Sequence, residues 1–205
     1  AIEIIEDSSN KIVARDFLKL EDVSVETIIR RIDTIIRSMV EKIDEEDKED
    51  AYQEIKNLDR GINKLRFLLY KIVKSGIEDH NLATKLNLSN YELLKTRLMA
   101  DNLEEIADEL RRFMRFRKKI ELTKIDEKKI NSCIIDIKNS YIEVMEAHYK
   151  KNIEKAHEIA SQKDIHLKKC DEMFKDTNNK EIVPIIEKIK SIQSWIRAIA
   201  RGIIT

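Results

Sequence analysis

The run Leu103-Glu104-Glu105-Ile106-Ala107-Asp108 sets two carboxylates, Glu104 and Asp108, four residues apart. On a helix that spacing puts both on one face, with Cβ atoms about 5–6 Å apart. Oxygen donors at the rim of an apolar stripe are one way helical bundles build cation or anion sites. Asp101 and Glu105 extend the pair into an acidic strip at i, i+3, i+4 and i+7. The plainer reading of that strip is a solvated or salt-bridged helix face, because Arg97, Arg111 and Arg112 are near enough in sequence to neutralise it. The remaining candidates are sparse. His80, His148, His157 and His166 show no i, i+4 pairing and read as surface or helix-cap residues. Cys133 and Cys170 have no metal-ligand spacing and read as reduced thiols of a cytoplasmic protein. Trp195 reads as a core or interface anchor. No nucleophile elbow, phosphate loop or Ser/His/Asp order occurs, so the chain is not expected to be an enzyme.

These side chains need helices to position them, and the composition supplies helices. Across 205 residues there are 3 Gly and 1 Pro, with 38% charged and 42% hydrophobic residues. So few helix breakers argue for an all-α protein. The 39 basic and 39 acidic side chains cancel, so no direct nucleic-acid binding is expected of these residues. No apolar run reaches about 18 residues, so no membrane insertion is expected.

Apolar spacing outlines six helices. The first runs from about Ser24, a plausible N-cap, to Glu46, striped by Val25, Ile28, Ile32, Ile35 and Met39. The second runs from about Lys48 to Ile77; Gly61 interrupts it, compensated by a close helix approach or expressed as a bend. Residues 79–90 form a connector with a short helix near 83–88. Ser89 and Glu92 have capping-box spacing and open the third helix, which reaches about Ile120. Asp126 caps the fourth. The fifth spans about Lys151 to Phe174, and Pro184 sits in the first turn of the sixth. Residues 2–17, with Asp7-Ser8-Ser9-Asn10 between two apolar runs, read as a β-hairpin. The expected fold is therefore all-α: two tandem antiparallel three-helix bundles preceded by a short N-terminal β-hairpin. The expected boundaries are 1–20, 21–120 and 121–205.

Two tandem three-helix repeats with Leu-Glu-x-Ile-Ala-Asp in the third helix resemble the PhoU-like phosphate-uptake regulators. Leu103, Glu104, Ile106, Ala107 and Asp108 match that family's motif, with Glu105 in place of its arginine. Asp59, Ile62 and Asn63, followed by Leu65, Phe67, Leu68 and Leu69, match the motif of its second helix. A short β segment before Leu20-Glu21-Asp22-Val23 is similar to the archaeal type, in which PhoU-like repeats follow an AbrB-type DNA-binding domain. That domain is absent here, and the first residue is Ala1 rather than Met, so the hairpin would be the junction left behind.

The resemblance implies a cytoplasmic regulator that restrains phosphate uptake through contacts with phosphate transporter components or signalling proteins. It also implies a metal site in the first repeat, built from Asp59, Glu104 and Asp108 with Asn63 as a weaker oxygen ligand, suited to Mg, Mn, Fe or Zn. The second repeat departs from the family. Arg197 and Arg201 align with Glu104 and Asp108, and Asp164 and Lys168 with Asp59 and Asn63, so the second metal site is lost. Arginines four apart there read as surface capping, as partners for acidic residues, or as an anion site. The alternative reading of the whole chain is a structural, oligomerising helical module of a transcription regulator, a homodimer with no direct phosphate role.

Overall fold

Capping residues set most of the helix starts before any packing is considered. The computed structural model describes the backbone of residues 2–8, 11–16, 19–177 and 179–205, and the side chains of 19–177 and 179–205. Helix α1 (Val25–Lys42) starts where the Ser24 hydroxyl accepts from Thr27 N–H at 3.2 Å. Helix α2 (Lys48–Glu78) starts at Asp47, whose carboxylate accepts from the N–H groups of Glu49 and Asp50. Asp79 then ends α2 and caps the short α3 (His80–Lys85). Asn87 turns the chain at φ 53°, a conformation asparagine tolerates. Helix α4 (Asn90–Arg117) opens on a complete Ser89–Glu92 capping box. Helix α5 (Lys124–Lys150) is capped by Thr123, three residues before the expected Asp126, whose N–H the Thr123 hydroxyl accepts.

The second half follows with α6 (Ile153–Ser161), α7 (Lys163–Asp176) and α8 (Val183–Ile204), the last with proline in its first turn. Lys151 turns the chain into α6 through φ 51°. Among residues 19–205 no described residue lies in a strand, and no described helix is long and apolar enough to cross a membrane.

The expected fold class is corrected. The class is all-α, and the helical body contains no β component; a two-stranded ribbon is too small to form a layer of a fold. The antiparallel pairing of β1 (Ile2–Ser8) with β2 (Lys11–Asp16) lies outside that body. The helix count is corrected as well. The short helix expected in the connector is present, starting at His80 behind the Asp79 cap, while among the described residues the expected fifth helix is interrupted at Gln162, with ψ 6°, into α6 and α7.

The seam between α2 and α4 is the main contact of the first half, and α8 packs on α4, α5, α6 and α7. One continuous apolar core runs through both halves, from Ile32 and Ile36 on α1, through Leu103, Leu110 and Phe113 on α4, to Tyr141 and Val144 on α5 and Ile192 and Ile196 on α8. Each fully buried large side chain contributes roughly 1.5–3 kcal/mol of transfer free energy. Gly61 is not a close approach: a Cβ there would meet only Ile35 Cδ1, at 3.9 Å. The tight contact is at Gly76, where a Cβ would come within 3.0 Å of the Leu93 side chain.

Candidate functional site

Helices α2 and α4 run antiparallel, and their facing sides bring together the residues that the sequence singles out. Asp59 on α2 is 7% exposed. The acidic charges of Asp108, Glu105 and Asp59 all act on Glu104, so the three candidate carboxylates, Asp59, Glu104 and Asp108, share one neighbourhood. Asn63 lies one turn along α2 from Asp59, but its side-chain amide donates to the Asp59 carbonyl at 3.1 Å and is turned to its own backbone.

Arginines occupy the seam. Arg111 Nε lies 3.2 Å from Asp59 Oδ2, close but not aligned to donate a hydrogen bond. Arg111 also pairs with Asp108, which takes Arg112 as well. Arg66 on α2 donates to Asp101 at 2.9 Å and stands 3.9 Å from Glu104 Oε2. Arg97 completes the strip by donating to Asp101 at 2.8 Å. The acidic strip is therefore a salt-bridged face.

Two carboxyls in this lattice are nevertheless strained electrostatically. Burial pushes Asp59 above the usual carboxylate range; Arg111 opposes this and Asp108 adds to it. Burial does the same to Glu104, with Arg66 opposing. Asp59 Oδ1 is buried and has no hydrogen-bond partner. Among the described residues no group of three or more His, Cys, Asp or Glu side chains is arranged to hold a metal ion. The donor types suit a hard cation, but the arginines hold the oxygens a cation would need. In this arrangement the residues do not fit a metal.

Two polar clusters escaped the sequence reading. Asp33 on α1, 5% exposed, accepts from Tyr141 Oη and Tyr149 Oη, each at 3.0 Å, and from Arg37 Nε at 3.0 Å. Burial, then the Asp33 charge, raises the Tyr141 hydroxyl well above its ordinary pKa. An acidic residue among Ile29, Ile32 and Ile36 on the inward stripe was the available signal. The second cluster is on α8, where Gln193 and Arg197 are buried although surface exposure was expected of Arg197. Their signal was position: both fall on the face that carries Ile189, Ile192, Ile196 and Ile199.

The histidines and cysteines are also placed. Burial lowers the pKa of His148, which is half-buried rather than on the surface. His166 meets Arg197, while His80 and His157 are exposed. Cys133 and Cys170 are free, buried and side by side between α5 and α7, and Cys133 Sγ lies 3.4 Å from Met173 Sδ. Comparison with family models, with curated proteins and with solved structures finds no match to this chain.

Proposed function

We propose that the chain is a PhoU-like regulator of phosphate uptake that works by protein–protein contact with the phosphate transport machinery. The observation that carries this reading is the meeting of Asp59, Glu104 and Asp108 on the α2–α4 seam, since these are the positions that the motif resemblance assigns to one site. The all-helical body and the pairing of those two helices are consistent with it. A metal would enter this site only where Arg111 and Arg66 gave up their carboxylates. The contact is tested by co-purifying the tagged chain with its phosphate transporter and measuring phosphate uptake in cells with and without it. Stable co-purification and faster uptake without the chain are expected; unchanged uptake together with no association removes the reading.

A second reading, an oligomerising module that forms a homodimer, has its own support. Tyr91, Leu94 and Leu98 stand exposed at i, i+3 and i+7 on α4, and Phe67 and Ile77 are exposed on the neighbouring α2. Apolar residues at that spacing on a helix surface form a stripe suited to a second helix pair.

A further inference from the structure

The Arg197 guanidinium is 5% exposed and has no ion pair with a carboxylate among the described residues. Its hydrogen-bond partner is His166 on α7, 3.4 Å from Nη1 to Nδ1. An arginine stays charged in a protein, so this contact assigns His166 Nδ1 as the acceptor and leaves Nε2–H as a donor. Burial, then the like charge of Arg201, depresses the Arg197 pKa. Burial and then Arg197 depress that of His166, which favours the neutral imidazole. The nearest acid acting on His166, Asp136, is already taken by Lys169 at 2.5 Å.

One turn away on the same face of α8, Gln193 is 2% exposed, and both its amide nitrogen and its amide oxygen are buried without a partner. Exchanging the two atoms would leave the same deficit, so the group lacks both a donor and an acceptor. Arg201, one turn beyond Arg197 and exposed, opens the row to solvent. A buried uncompensated cation and an orphaned amide are both costly states, and one species relieves both. An anion answers the cation, and one that carries a hydroxyl can also donate to the Gln193 oxygen.

We propose that Arg197, Gln193, His166 and Arg201 form a binding site for hydrogen phosphate between α7 and α8. Arg197 and Arg201 supply charge-assisted donors, which Arg favours for tetrahedral oxyanions. His166 Nε2–H and the Gln193 amide nitrogen add neutral donors, and the Gln193 oxygen accepts the phosphate hydroxyl. Sulfate has the same shape and charge but no hydroxyl to give. The site uses residues of this chain alone, so it stands apart from contact with a transporter.

The test is calorimetric titration of the full chain with inorganic phosphate and with sulfate at neutral pH, against sodium chloride at matched ionic strength. Phosphate is expected to bind one per chain, about tenfold tighter than sulfate, a difference of one hydrogen bond to a charged group. Arg197→Met abolishes binding, and Gln193→Leu removes the preference for phosphate over sulfate. Should Arg197→Met not fold, the exposed Arg201→Gln is read instead, with an expected weakening of about tenfold. Absence of phosphate binding at millimolar concentration, equal affinity for sulfate, or unchanged affinity in Arg201→Gln and Gln193→Leu would each overturn the assignment. If phosphate binds while the chain does not associate with the transporter, the site survives and only the regulatory reading fails.

Discussion

Tyr141 Oη donates to Asp33 Oδ1 at 3.0 Å, joining α5 of the second half to α1 of the first. Tyr141 is fully buried, so the hydroxyl has no water to turn to. Tyr141→Phe removes one of the three side-chain donors that hold a buried carboxylate. It is expected to cost about 1–3 kcal/mol in urea unfolding. Tyr149→Phe should cost less, because Tyr149 is only half-buried. Equal, negligible losses from both would show that the carboxylate is satisfied in some other way.

Asp59 and Glu104 give the pH dependence of stability a definite sign. Both folded carboxyls sit above their ordinary values, chiefly through burial. The folded chain therefore keeps these protons to higher pH than the unfolded chain. Their contribution to stability falls as pH rises from the ordinary carboxylate range through the raised folded values. Asp59→Asn should flatten that fall as pH rises above the ordinary carboxylate range of about pH 4 in denaturant unfolding. A steeper fall in the variant would reverse the inferred direction of the shift.

Much of this fold was legible in the sequence, for reasons that can be named. Ser24, Ser89 and Pro184 mark helix starts through the hydrogen bonds their side chains make or the N–H that proline lacks, and these signals are local. The meeting of Asp59 with Glu104 and Asp108 was legible only through motif resemblance, since it depends on how α2 lies along α4. The break at Gln162 was not legible: no glycine or proline marks it, and packing of α6 and α7 on α8 decides it. The burial of Arg197 was missed because charge was weighed above its place on the inward stripe of α8.

Gly61 offers a gain in stability. Its helix interior is regular, and an added Cβ meets Ile35 Cδ1 at an ordinary 3.9 Å. Gly61→Ala should stabilise the fold by about 0.5–1 kcal/mol, seen as a higher urea midpoint with an unchanged slope. Gly76→Ala should not give that gain, because Leu93 must move by a few tenths of an ångström to admit the methyl group.

Metal binding at the α2–α4 seam is open to a direct measurement. With the arginines on Asp59, Glu104 and Asp108, elemental analysis of the purified chain is expected to find no stoichiometric metal. Arg111→Met should raise the metal content, since Arg111 holds Asp59 and Asp108 at once. A chain without metal whose content does not respond to Arg111→Met would leave the seam a purely ionic contact.

The exposed stripe on α4 makes a prediction about assembly. Sedimentation of the native chain should show a dimer, and Leu94→Glu with Leu98→Glu should show a monomer, because two buried charges would face an apolar partner. A native monomer would remove the homodimer.

Helix α8 follows every helix it packs against in chain order, and Thr205 O accepts from the Tyr91 hydroxyl at 2.6 Å. During synthesis on the ribosome, the apolar groove between the earlier helices must wait for α8 to emerge. The nascent protein thus passes through a stage with a long oily cleft open to its surroundings. That interval is when chaperone capture or misassociation would compete with folding.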